Sequence, residues 1–293
     1  MRLTIPEEEL VSLGHKGCQG CGGAMAMRYA LKALGENTMV VIPACCWSVI
    51  AGEFPYTVMR VPLLHTAFET AASSSSGVRA ALKARGNDET TVMAWAGDGG
   101  TFDIGIQSLS GAVERNDDFI YVCYDNEGYM NTGIQRSSST PYGAWTTTTP
   151  VDAFEKAHKK NMVDIMVAHE IPYAATACIA YPEDLIRKMQ KAKGIRGTKF
   201  IHILSPCPPG WRFPSNLTVK LARLAVETNV FPLYEVEDGK YTINRKPKKK
   251  PARDYLVLQG RFRHISDEIA AEIQAKVDAD WEKLLKKEED SKE

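Results

Sequence analysis

The chain reads as an α/β protein built on a doubly wound parallel sheet. Two observations predict it. Apolar runs of strand length alternate with helical stretches along most of the 293 residues, the pattern of successive β-α-β units. Two of those runs, 91–96 and 119–124, end in the polar clusters Gly97-Asp98-Gly99 and Asp125-Asn126. A parallel sheet brings such clusters together at the carboxyl ends of its strands, where ligands bind.

Taken in order, residues 24–35 form an apolar-faced helix ending near Gly35, and 38–43 a short buried strand. A second helix is expected over 67–84, although Ser73-Ser-Ser-Ser-Gly77 within it could instead loop near a ligand. The strand at 91–96, helix at 104–114 and strand at 119–124 make one β-α-β unit with a right-handed crossover. The Thr-rich stretch 146–150 is expected to be an irregular loop against a ligand or partner. Helices near 151–160 and 182–192 flank further strands near 164–168 and 199–204. No internal repeat is visible.

Composition shifts after about residue 235, dividing the chain into a main α/β domain, 1–235, and a C-terminal arm and helix, 236–293. Arg245-Lys-Pro-Lys-Lys-Lys-Pro251 is basic, and its prolines exclude a helix. It lacks the aromatic residues on which nucleic-acid bases stack, so a solvated arm is expected rather than a nucleic-acid site. A last helix starts at Ser266, with Asp267 and Glu268 suiting its N-terminal dipole. Ile269, Ile273, Val277, Trp281 and Leu285 recur every fourth residue, a stripe expected to dock on the main domain or another subunit. The tail 288–293 is expected to fray.

Composition sets bounds without choosing a function. Hydrophobic residues make up 44% and charged residues 25%, as in ordinary soluble proteins. Lys+Arg and Asp+Glu both count 36, so no global charge calls for a nucleic-acid or membrane partner. The first nine residues lack an apolar core, and no apolar stretch is long enough to span a bilayer. A cytoplasmic protein is expected.

The polar clusters carry chemistry. Asp98 offers a carboxylate and Asn126 an amide oxygen, hard donors that Mg²⁺ accepts alongside phosphate oxygens. Glycines at 97, 99 and 100 remove side chains that would keep a diphosphate from the backbone. The seven cysteines are a second clue. In a cytosolic chain they point to metal or redox chemistry rather than disulfides. Cys18 and Cys21 form a Cys-x-x-Cys among glycines, so two sulfurs can converge on one centre. A closed zinc or [4Fe–4S] site needs four ligands. The other two must come from Cys45 or Cys46 and from Cys123, Cys178 or Cys207. Cys123 and Cys178 sit in apolar runs and read as buried thiols, whereas prolines on both sides present Cys207 from a rigid loop.

The Gly97-Asp98-Gly99 to Asn126 layout resembles the Mg²⁺–diphosphate motif of thiamin diphosphate enzymes. The fuller set is more specific: Gly-His-x-x-Cys-x-x-Cys-Gly from Gly14, Pro43-x-x-Cys46, Tyr129-Met-Asn-Thr-Gly-Ile-Gln-Arg-Ser-Ser138 and Cys207-Pro-x-Gly-Trp211. In matching order over roughly 14–265, it is similar to the β subunit of pyruvate:ferredoxin oxidoreductases. That resemblance implies a sheet of the thiamin diphosphate-binding type. It implies thiamin diphosphate held through Gly97, Asp98, Gly99, Asn126, Gly128 and Asn131, with Mg²⁺ on Asp98, Asn126 and the carbonyl of Gly128. Asn131 would face the thiazolium and substrate as the catalytic residue. The cluster ligands would be Cys18, Cys21, Cys46 and Cys207, with Cys45 replacing a glycine of the family pattern. The reaction implied is oxidative decarboxylation of pyruvate to acetyl-CoA and CO₂, with electrons passing singly to a [4Fe–4S] cluster and on to ferredoxin.

The resemblance also implies partners. The glutamate that activates thiamin comes from an α subunit in this family, and neither Glu69 nor Glu127 is a convincing local substitute. An α subunit, further subunits of the γ and δ kind, ferredoxin, pyruvate and coenzyme A are therefore expected. His15 matches a family position but reads as a packing or hydrogen-bonding residue. The alternatives are a sister enzyme for branched-chain, aryl, oxalate or 2-oxoglutarate substrates, the last least favoured by the 129–136 block. More remote are a Cys₄ structural zinc protein and a nucleic-acid-binding module using 245–250.

Overall fold

A computed structural model describes residues 5–247 and 249–292. The chain begins with α1 (Gly22–Leu34), β1 (Thr38–Pro43), α2 (Cys46–Ile50), β2 (Leu63–Thr66) and α3 (Ala71–Ala84). It continues through β3 (Thr91–Gly97), one π-helical turn (Gly99–Asp103), α4 (Ile106–Glu114), β4 (Ile120–Asp125) and α5 (Met162–Ala168). Next come β5 (Tyr173–Cys178), α6 (Pro182–Gly194), β6 (Lys199–Leu204), α7 (Pro208–Trp211) and α8 (Thr218–Glu227). A hairpin of β7 (Tyr234–Glu237) and β8 (Lys240–Ile243) follows, then α9 (Ala252–Leu256) and α10 (Asp267–Asp290).

The strands form one eight-stranded sheet in the order β2-β1-β3-β4-β6-β5-β7-β8. Strands β1 to β6 pair in parallel, and β7 and β8 close one edge antiparallel. All residues of β4, β5 and β6 are buried, because helices cover both faces, as parallel sheets require. One apolar layer gathers Met27, Leu31, Trp47, Trp95 and Leu221, and the other Phe102, Leu109, Phe119, Met166 and Leu284. From β1 the chain steps out to β2 and then crosses back over β1 to β3, and this reversal opens a crevice above the carboxyl ends of β1 and β3.

The expected doubly wound sheet is present, with four local corrections. The second helix starts at Ala71, and Ser73–Gly77 is helical rather than a loop; Ser75 and Ser76 return their hydroxyls to Ala71 and Ala72 carbonyls. Residues 151–160 contain a 3₁₀ turn at Val151–Ala153 and no longer helix. Phe154 is extended there, and Glu155 exchanges backbone hydrogen bonds with Gly143 and Ala144 while its carboxylate takes Arg136. The stretch expected as a strand near 164–168 is α5, because the Asn161 side chain caps it at Asp164 N–H and Met162, Val163 and Met166 share a buried face. The strand itself lies at Tyr173–Cys178.

The fourth correction concerns the tail. Helix α10 runs to Asp290, and Glu288 is buried, accepting from Ile243 N–H and Lys246. Ser266 caps the helix as expected, its hydroxyl taking Ile269 N–H. The stripe packs half-buried on the core: Ile273 meets one apolar layer, Trp281 and Leu285 the other. The basic stretch before it is irregular over 245–247 and 249–251, and Lys246, Lys249 and Lys250 pair with Glu288, Asp278 and Glu227. Among the described residues no helix is long and apolar enough to cross a membrane.

Candidate cofactor site and thiol-lined cavity

Gly97 and Tyr124 are neighbours across β3 and β4, so Asp98 and Asp125 emerge side by side at the ends of those strands. A crevice of about 360 Å³ opens above them. Ala44, Cys45 and Cys46 after β1, Gly97–Gly100 after β3, and Asn126, Gly128, Tyr129, Met130 and Asn131 after β4 line it. The π-helical turn holds Gly99 against the Tyr129 ring: a Cβ there would lie 2.1 Å from Cε1. Irregular helical turns of this kind recur at functional sites.

One terminal atom of the Asn126 amide lies 2.9 Å from the Gly128 carbonyl and 3.0 Å from Asp98 Oδ1. With nitrogen in that place the amide donates to both. With oxygen there, three oxygens converge and the nitrogen turns to Cys46 Sγ at 4.0 Å. Octahedral Mg²⁺, with bonds of about 2.0–2.1 Å, sets adjacent oxygens roughly 2.9 Å apart, so this donor set fits such an ion. Asp98 itself is 1% exposed and accepts from the Ser137 hydroxyl. Burial, then the neighbouring Asp125, push its carboxyl well above the ordinary range.

Behind this point lies a buried charge network. Asp125 accepts from Lys159, His202 Nε2 (2.7 Å) and Ser139. Burial raises its pKa, but Lys159 and His202 outweigh burial and hold it below the usual value. Glu127 takes Lys159 at 2.9 Å on one carboxylate oxygen and Arg261 at 2.5 Å on the other. Two of the three buried acids therefore have cations, and among the described residues none forms an ion pair with Asp98. Asp98, the acid left without one, is where the three oxygens meet.

A second cavity, of about 130 Å³, adjoins the first. Cys18, Cys21, Cys46 and Cys207 all line it, and Cys46, Val49, Tyr124, Asn126, Met130 and Asn131 belong to both cavities. Cys21 sits at the N-cap of α1, Cys46 opens α2 and Cys207 caps α7. Gly22 lets the loops meet: it donates to Pro206 O at 3.1 Å, and a Cβ would lie 2.7 Å from that backbone. Burial, and then neighbouring thiols, push Cys46 up, and burial pushes Cys207 to about 12; ligation would release these protons. Among the described residues no three His, Cys, Asp or Glu side chains stand close enough to share a single ion.

Cys123 and Cys178 are buried as expected, Cys178 donating to Ala222 O. Cys45 lines the larger cavity only. His15 accepts from Gly17 N–H at 3.1 Å. Glu69 is exposed, and Glu127 is committed to its two cations. Residues that sequence reasoning did not single out are Tyr124, stacked 5.6 Å from Trp95 on the shared wall, and Ser137, Lys159, Trp211 and Arg261. Ser137 and Trp211 lay inside quoted motifs; Lys159 and Arg261 carried no local signal.

Residues 44–203 match the family described as thiamine pyrophosphate (thiamin diphosphate) enzyme, C-terminal TPP binding domain. The chain is 55% identical to the ketoisovalerate oxidoreductase subunit VorB of Pyrococcus abyssi, over 97% of this chain and 95% of the relative. It is 53% identical to the pyruvate synthase subunit PorB of Methanothermobacter marburgensis, over 96% and 99%. The 2-oxoglutarate:ferredoxin oxidoreductase from Magnetococcus marinus superposes with a TM-score of 0.60 over 76% of this chain and 81% of that one, at 22% identity, a likeness of fold. The chain belongs to the thiamin diphosphate enzymes, and within them to the family of 2-oxoacid oxidoreductase subunits that includes these PorB and VorB proteins.

Proposed function

We propose that the chain is the β subunit of a pyruvate:ferredoxin oxidoreductase. Such an assembly converts pyruvate and coenzyme A to acetyl-CoA and CO₂ and passes electrons through a [4Fe–4S] cluster to ferredoxin. One observation carries the reading: Asp98, a buried carboxylate with no ion-pair partner among the described residues, and the Gly128 carbonyl each lie about 3 Å from the Asn126 amide, one wall away from four cysteines. Asp98, Asn126 and the Gly128 carbonyl would hold Mg²⁺, and Gly97 and Gly99 leave room for the diphosphate.

Thiamin diphosphate, when bound, supplies the carbon nucleophile and the electron sink for loss of CO₂ from a 2-oxoacid. This chain's residues bind and orient around it. Asn131 is exposed and lines both cavities, which supports a role in hydrogen-bonding the substrate. Tyr124 and Met130 keep the wall between the cavities largely apolar. Cys18, Cys21, Cys46 and Cys207 would ligate the cluster, a reading supported by their lining one cavity together.

Partner dependence rests on what the crevice offers. Asp98 is the one carboxylate among its described lining residues, and it faces the cation. The carboxylate that activates thiamin would come from an α subunit, with γ and δ subunits completing a cytoplasmic assembly. Val49, on the rim of both cavities, is 51% exposed and suits such a contact.

The similarity to ketoisovalerate oxidoreductase subunits favours a second reading, a branched-chain 2-oxoacid as substrate. Steady-state rates of the whole assembly on pyruvate, 2-ketoisovalerate, an aryl oxoacid and 2-oxoglutarate separate the two. The proposal expects the highest kcat/KM with pyruvate; a clear preference for 2-ketoisovalerate overturns it in favour of the second.

A further inference from the structure

Glu127 stands between two of the three oxygen donors, and its backbone is left-handed, with φ of 63°. A residue with a Cβ adopts that conformation uncommonly, and here its surroundings hold it there. Every polar group of Glu127 is engaged. Its N–H donates to Asp125 Oδ1 at 2.9 Å, its carbonyl accepts from Thr140 Oγ1 at 3.0 Å, and its carboxylate takes Lys159 and Arg261. The left-handed turn is what lets the Asn126 amide and the Gly128 carbonyl meet at one point.

Arg261 comes from the C-terminal arm and is 2% exposed. Its Nη2 donates to Glu127, its Nε to Gln259 Oε1 at 2.9 Å, and its guanidinium lies 4.0 Å over the Trp211 ring. Trp211 in turn donates its indole N–H to the Asn126 carbonyl at 2.6 Å. It also continues the helical turn begun at Cys207, whose carbonyl takes Trp211 N–H. One guanidinium thus grips the cation turn from both sides, through Glu127 and through Trp211, and links it to the loop of Cys207.

We propose that Arg261 is a positioning residue: it locks the Asn126–Gly128 turn in its cation-binding shape and so couples the C-terminal arm to metal and diphosphate affinity. This rests on the reading of the crevice as a thiamin diphosphate–Mg²⁺ site. It assigns the arm a role in the site rather than in solvation alone.

The test uses the purified assembly, stripped with EDTA and titrated with Mn²⁺ in the presence of thiamin diphosphate, with free Mn²⁺ read by its EPR signal. Arg261→Gln is expected to weaken Mn²⁺ binding by roughly 10-fold, the low end of the effect of removing a direct partner of a ligand, because Arg261 acts through Glu127 and Trp211. Arg261→Lys keeps the charge but not the fork or the stacking, and should fall between the two. If the wild-type assembly takes up no Mn²⁺ with thiamin diphosphate, the site reading fails and the inference falls with it. If the wild type binds and Arg261→Gln binds as tightly, the inference alone is overturned. Should Arg261→Gln fail to assemble, Glu127→Gln, which leaves the arm in place, decides: weakened Mn²⁺ binding supports the lock, and unchanged binding overturns it.

Discussion

Gly99 shows how little room the wall of the crevice leaves for a side chain. A methyl group there would run into the Tyr129 ring, which is itself fixed by Phe68 and by a 2.7 Å hydrogen bond to Asp103. The ring cannot swing aside without losing that bond, so Gly99→Ala should push it into the cavity. Thiamin diphosphate binding, followed by calorimetry on the assembly, should weaken at least about tenfold while the fold survives, since only one side chain must move. Gly105→Ala makes the contrast. Its Cβ would meet the Gly100 carbonyl at 1.9 Å, a backbone atom. That variant should lose thermal stability itself. At this scale the sequence was informative wherever a residue acts through its own chemistry and a local motif: Asp98 and Asn126 lie at neighbouring strand ends, and the four named cysteines line one cavity. It was silent where a residue acts through a distant partner. Nothing near Glu127 announces that Arg261, far along the chain, will complete its ion pair.

Among the elements, the β7–β8 hairpin depends on one acid. Glu235 accepts from Tyr173 Oη at 2.6 Å and Asn244 Nδ2 at 3.1 Å, and lies near Arg187 and Lys191. Burial raises its pKa, but the Tyr173 hydrogen bond and the nearby cations prevail and hold it at about 2. A carboxyl held below its unfolded value stabilises the fold above the ordinary carboxylate range, and that stabilisation is lost as pH falls toward 2. Glu235→Gln should therefore cost about 1 kcal/mol at neutral pH, a figure kept small for a partly screened cluster. The gap between variant and wild type should close on acidification, as denaturant melts across pH would reveal; a constant gap would point to packing instead. The hairpin was legible in principle. Asp238-Gly239, both at positive φ, join two strands in the manner of a two-residue turn. The alternation around it is too short to stand out beside the long buried runs. The misread of α5 has a similar origin, since a short apolar run fits a strand or a buried helix equally well, and the deciding Asn161 cap is a single residue.

On the proposed reading, the whole molecule presents half of an active site. Its two adjacent cavities share a wall, Cys46, Asp98, Asn126 and Cys207 follow the carboxyl ends of strands while Cys18 and Cys21 precede α1, and Val49 is exposed where the two cavities meet. The isolated chain should therefore show no 2-oxoacid decarboxylation above background, and adding the partner subunits should restore it. Activity of the isolated chain would contradict the assignment of the activating carboxylate to a partner. The central claim is that one chain holds thiamin diphosphate and a four-iron cluster side by side. The most direct test is to purify the assembly without oxygen and measure iron, sulfide, zinc, magnesium and thiamin diphosphate per chain, in the wild type and in a variant with Cys18, Cys21, Cys46 and Cys207 all changed to serine. The account predicts one thiamin diphosphate and one magnesium in both, with about four iron and four sulfide present in the wild type and lost from the variant. A colourless wild type containing zinc and no thiamin would contradict it.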